Sequence, residues 1–156
     1  MEANKVKKVL IALDYDPTSK IVAEKGYNLA KTMDAEITLL HVTITSFLYT
    51  TIYPLMGEWQ SDTMSSREIR HAGSRHFLEK AKRHLGDTSI QLIQKDGDFD
   101  QMILKTAAEI NADCIVIGSH SSKCAVENIL MGSVTREVLR KTTIPLFVVT
   151  TRKRKT

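Results

Sequence analysis

Four short runs of aliphatic and β-branched residues constrain the architecture: KVLIALD (8–14), EITLLHV (36–42), DCIVIGS (113–119) and PLFVVT (145–150). Each is apolar at successive positions, so both faces of the strand it forms must be covered. A parallel sheet with helices on either side meets that condition. A fifth run, SIQLIQK (89–95), alternates more and is expected at the outside of the sheet.

Helical spacing fills the gaps between these strands. Val22, Gly26, Leu29, Ala30 and Met33 recur behind the start signal DPTS (16–19). Phe77, Leu78, Ala81 and Leu85 mark another helix. Phe99, Ile103, Ala107 and Ile110 mark a third behind Asp98, a good cap, and the last is expected from Ser133 to about Arg140. Alternation of strand and helix predicts an open, doubly wound α/β sheet with right-handed crossovers. A chain of 156 residues, 42% of them hydrophobic, closes one such domain over 1–156. Two helix-to-strand junctions echo each other, AKTMDAEITLL and AAEINADCIVI. With no fixed repeat period, the echo reads as shared loop chemistry. Residues 43–66 fit neither period and form a long insertion with Phe47, Tyr49, Tyr53 and Trp59, suited to a lid, an interface element or a mobile segment.

The charge of +4 is patchy, concentrated between Arg67 and His84 and in the basic tail 151–156. It favours anionic partners without selecting one, and nucleic acid, resting on charge alone, is not the expected partner. Cys114 and Cys124 have no C-x-x-C spacing and no Cys/His cluster beside them, so they read as reduced thiols and not as zinc ligands. The apolar run near the N-terminus is too short for a signal peptide. Residues 37–57 lack Lys, Arg, Asp and Glu, yet six Ser/Thr, His41 and Pro54 make them too polar to span a membrane. The expectation is a soluble, cytoplasmic protein with no membrane partner.

In an open parallel sheet, ligands bind beyond the carboxyl ends of the strands, where the loops diverge. The candidate tips are Asp14, His41 with Val42, and the loop that opens at Gly118. Glycine lets backbone amides approach an anion, and Gly132-Ser133 opens a helix whose first amides lack intrahelical partners. The amides just past Gly118 and at Ser133 are expected to converge on one anion. The alternative is that both glycines only permit turns and Ser133 only caps the helix. Neither G-x-x-x-x-G-K-[ST] nor G-x-G-x-x-G occurs. His120 has no visible nucleophile or orienting acid. His71, His76 and His84 read as a solvated helix face, and Asp96 and Asp98 around Gly97 as a turn and cap.

Together these residues resemble the universal stress protein family, through KKVLIALDYDPTSKIVAEKGYNLAK, AEITLLHV, KDGDFDQMILKTAAEINADCIVIGSHS and ILMGSVTREVLRKTTIPLFVVT. The resemblance implies a five-stranded parallel sheet in the order 3-2-1-4-5, a homodimer paired through the last strand, and binding of ATP or AMP. The family's nucleotide-binding pattern is G-x2-G-x9-G-[ST]. Gly118, Gly132 and Ser133 supply its ends, while Ser121 or Ser122 stands at the middle glycine, with one additional residue in the loop. A serine forced to positive φ costs about 1 kcal/mol or more, although its hydroxyl can donate to a phosphate. Lys123 adds a charge nearby. Asp14 matches the family's acid beside ribose and adenine, and Val42 the strand end whose backbone meets the adenine edge. The implied nucleotide site is therefore Asp14, Val42, Gly118, Ser121, Gly132 and Ser133. The implied function is a stress-response regulatory dimer governed by adenine-nucleotide occupancy, with at most slow ATP hydrolysis. No magnesium ligand is assigned. The altered loop leaves a second possibility, a nucleotide-independent signalling or scaffold dimer.

Overall fold

The apolar runs pair side by side because each backbone needs a neighbour for its amides and each side-chain row needs cover. The computed structural model describes residues 4–44, 66–119 and 132–151. Its strands are β1 (Lys8–Leu13), β2 (Glu36–Thr43), β3 (Gln91–Asp96), β4 (Cys114–Gly118) and β5 (Leu146–Val149). Among the described residues, four helices connect them: α1 (Ser19–Thr32), α2 (Ser66–Leu85), α3 (Phe99–Glu109) and α4 (Ser133–Lys141). The sheet runs β3-β2-β1-β4-β5 with every pair parallel, and the more alternating strand, β3, lies at an edge. Central β1 pairs Lys8–Leu13 with Glu36–His41 on one side and Val9–Ile11 with Cys114–Val116 on the other.

Successive side chains of a strand point to opposite faces, and the two cores separate accordingly. Val9, Ile11 and Leu13 pack with Val22, Ala30 and Leu78 under α1 and α2. Leu10, Leu40, Ile115 and Ile117 pack with Ile103, Ala107 and Val138 under α3 and α4. Val9, Leu10 and Ile11 are all fully buried, which is why no polar residue interrupts the run. Each such side chain contributes about 1.5–3 kcal/mol on burial. Helix α1 lies close to the sheet: a Cβ at Gly26 would stand 2.9 Å from Ile11 Cδ1 and 3.0 Å from Val116 Cγ1.

The echoed junctions share one geometry. Asp34 and Asn111 both take left-handed backbone, φ 53° and 54°. The following amides reach back, Ala35 N to Ala30 O at 3.0 Å and Ala112 N to Ala107 O at 2.9 Å, closing the helix ends. The next residues join the sheet, Glu36 N donating to Lys7 O and Asp113 N to Lys8 O, both at 2.8 Å. The Asp113 carboxylate accepts the Lys7 and Lys8 amides at 2.8 and 2.9 Å, which holds its pKa below the usual carboxylate range and ties β4 to the start of β1.

Helix starts depart from expectation. Asp98 occupies the cap position of α3, but its side chain makes no capping bond. Thr18 caps α1 by backbone alone, while the Asp16 carboxylate accepts Thr18 N at 2.8 Å. Gly132 takes the cap of α4, so Ser133 is the first helical residue and not a side-chain cap. No described helix is long and apolar enough to cross a membrane. Of the insertion expected over 43–66, Thr43 ends β2 and Ser66 opens α2, while residues 45–65, like His120, Ser121, Ser122, Lys123, Cys124 and the tail beyond 151, lie outside the described residues.

Candidate functional site

Strand order reverses at β1 and β4: the chain leaving β1 turns onto one face of the sheet in α1, and the chain after β4 returns on the other in α4. The loops part there, leaving a crevice of about 750 Å³ at the carboxyl ends of the strands. Leu40, Phe99 and Ile103 give it an apolar lining. Asp14 stands on the β1 side, with Gly118, Gly132 and Ser133 on the other.

Asp14 is exposed just past the end of β1, and its Oδ1 accepts Asp16 N at 3.2 Å, an Asx turn that fixes the carboxylate at the crevice edge. Val42 is 4% exposed with its side chain in the core beneath α3 and α4, so what it can offer a ligand is backbone. Gly118 has an ordinary strand conformation. Its need for glycine is steric, because a Cβ there would lie 2.8 Å from Val22 Cγ2 of α1. Its carbonyl accepts the Thr135 hydroxyl at 2.8 Å, which pins the first turn of α4 to the tip of β4.

The amide directly after Gly118 does not face the crevice as expected: Ser119 N donates to Val149 O at 2.9 Å and belongs to the sheet. Amides outside the sheet and the helix ladder are found instead at the start of α4. Its first intrahelical bond is Arg136 N to Gly132 O at 3.0 Å, so Ser133, Val134 and Thr135 carry amides ahead of that ladder, at the positive end of the helix dipole. No acid stands in this turn.

His41, a candidate from its place at a strand tip, turns the other way. It is 2% exposed, Nδ1 donates to Leu13 O at 2.8 Å, and its ring meets Tyr15 at 4.3 Å and Phe77 of α2 at 5.2 Å between centroids. Its Nε2 is buried without a hydrogen-bond partner among the described residues. Desolvation pushes its pKa below the ordinary histidine value, against the opposing pull of the Leu13 carbonyl and the Asp14 charge. His71 and His84 are partnered instead of merely solvated: His71 Nε2 lies 2.6 Å from Asp96 Oδ2, tethering α2 to β3, and His84 Nε2 lies 2.7 Å from Glu24 Oε1 on α1. His76 is exposed, and Asp96 serves that pair while Gly97, φ 144°, makes the turn. Burial raises the Cys114 thiol, which suits an inert core thiol.

Thus Asp14, Val42, Gly118, Gly132 and Ser133 line one crevice, and Ser121 lies outside the described residues. Sequence reasoning missed Tyr15, Thr135 and Arg136, which also line it. Thr135 left one signal, a hydroxyl three positions before Val138 on the apolar stripe of a short helix. Tyr15 and Arg136 left none, because their relation to the crevice depends on how β1 and α4 are brought together.

A model described as the universal stress protein family matches residues 5–150. Universal stress protein A of Salmonella typhi is 30% identical over 116 residues, which span 73% of this chain and 76% of the relative. A universal stress protein solved in complex with cAMP shares the fold with a TM-score of 0.64 at 19% identity, over 96% of this chain and 100% of the other. The universal stress protein from Archaeoglobus fulgidus in complex with dAMP shares it with a TM-score of 0.59 at 17% identity, over 93% and 98% of the two chains.

Proposed function

The chain belongs to the universal stress protein family, and from that premise we propose that it binds an adenine nucleotide, ATP or AMP, and acts as a regulatory dimer in the stress response. One observation carries the reading: a single crevice has the Asp14 carboxylate on one side and, on the other, helix amides with no intrahelical partner. Asp14 accepts hydrogen bonds from ribose hydroxyls, the Val42 backbone reads the adenine edge, and Gly118, Gly132 and Ser133, with Ser121, meet the phosphates. The apolar lining between them suits the base. Support also comes from the two fold neighbours solved with cAMP and dAMP. For the dimer, β5 is the edge strand of the sheet and carries Phe147 at 40% exposure, a surface suited to a second copy through the last strand.

Binding to the native state stabilises it by about 2.7 kcal/mol at a ligand concentration of 100 Kd. For a domain of this size that raises Tm by about 5–10 °C. Millimolar ATP and AMP in a thermal melt, with mass spectrometry of small molecules released on denaturation, test the reading. No shift and no released nucleotide would overturn it. The Ser119 amide committed to Val149, together with Ser121 in place of a glycine, favours the second reading, a nucleotide-independent signalling or scaffold dimer. That reading predicts an unchanged melt with the dimer intact.

A further inference from the structure

Arg136 lines the crevice from the first turn of α4, with its side chain exposed. The position is electrostatically unfavourable, because the amino end of a helix carries roughly half a positive charge and this turn holds no acid to offset it. The other cations of α4 sit at its carboxyl end, where the dipole favours them, and each has a carboxylate. Arg140 Nη2 lies 2.7 Å from Glu137 Oε2, and Lys141 Nζ lies 2.7 Å from Asp100 Oδ2 and 3.4 Å from Glu137 Oε2. Arg136 has no such partner among the described residues, and Glu137, its neighbour in sequence, is already engaged by two cations. The turn that carries it is held at the crevice wall by the bond from Thr135 to the Gly118 carbonyl. The guanidinium, with no carboxylate partner among the described residues, is thus a second cationic point on the crevice wall beside the positive helix end.

We propose that Arg136 is a specificity-determining residue that reads the number of phosphates on the ligand and makes the site prefer an adenine nucleoside polyphosphate over a monophosphate. The inference rests on the nucleotide reading above. The amides of Ser133, Val134 and Thr135 hold the phosphate nearest the helix end. The guanidinium, farther toward solvent, takes the next one through paired N–H donors, a geometry lysine does not offer. A monophosphate reaches only the first of these two positions.

Isothermal titration of the full-length protein with adenosine, AMP, ADP and ATP at one ionic strength tests it, using wild type, Arg136→Gln and, as a charge-matched control on the same helix, Arg140→Gln. In Arg136→Gln the ATP affinity falls roughly tenfold and the AMP affinity less than about threefold, so the ATP-to-AMP preference shrinks. Arg140→Gln keeps the wild-type preference. Without ligand, Arg136→Gln melts above wild type, because a cation has left the positive end of a helix. An unchanged ATP-to-AMP preference in Arg136→Gln, with both nucleotides still bound, overturns the role of Arg136 and leaves the nucleotide reading standing. A ligand-free melt below wild type assigns the side chain a structural contact and also overturns it. Failure of every nucleotide to bind wild type removes the nucleotide reading and this inference together.

Discussion

Replacing Gly118 with alanine places a methyl 2.8 Å from Val22 Cγ2. Carbon atoms in contact prefer about 3.5–4.0 Å, so something must retreat by roughly an ångström. Val22 is 4% exposed on α1, and a valine in a helix holds one χ1 rotamer about 90% of the time, so its methyl does not swing aside. Overpacking of this kind costs about 1–3 kcal/mol. Against it stands a gain of about 0.4–1 kcal/mol from the stiffer unfolded chain, since the strand backbone at 118 accepts alanine. The clash wins, and the net loss is about 1–2 kcal/mol, a fall in Tm of about 3–6 °C for a domain of this size. Urea denaturation measures the change as a lower midpoint at constant slope. Val22→Ala removes the opposing methyl, so in that background Gly118→Ala becomes neutral or slightly stabilising, and the cycle shows a coupling of about 1–2 kcal/mol. Equal losses in both backgrounds would refute the steric account of Gly118 and return the glycine to a role in the loop alone.

His41 is buried and its pKa lies below the unfolded value, so the unfolded chain binds the extra proton; stability is full above about pH 6.5 and declines as pH falls below it. His41→Asn, which keeps a donor for Leu13 O, flattens the loss of the urea midpoint between pH 7.5 and 5.5, and an unchanged slope would show that His41 does not titrate as described. At the helix-to-strand junction, Asn111 sits at φ 54°, so Asn111→Ala loses about 1 kcal/mol while Asn111→Gly is neutral or stabilising; equal effects in thermal melts would contradict the left-handed assignment. Phe147→Glu on the β5 edge leaves the fold intact by circular dichroism and converts the proposed dimer to monomer in light scattering, whereas a persisting dimer would move the interface elsewhere.

The strand runs were legible because their cause is local: a strand buried on both faces carries a polar residue only at a cost, and from Val9 to Ile11 none occurs. The paired junctions were legible for the same reason, since a left-handed residue closing a helix leaves its mark within a few positions, as Asp34 and Asn111 do. His41 and Val42 adjoin at one strand tip in the sequence, although the two-residue period of β2 sends them to opposite faces. The first meets the Phe77 ring edge-on and the second packs under α3.

By itself, then, the order of residues determined the parallel α/β architecture, the helix-closing turns and the neighbourhood of the site, because backbone conformation and side-chain period act over a few residues. Only the tertiary structure decided which groups at that neighbourhood stay available. Ser119 N is taken by Val149, the Gly118 carbonyl by Thr135, and the space above Gly118 by Val22. Each of those partners arrives from a distant segment, and whether a polar group is left to meet a ligand depends on what the fold has already placed against it.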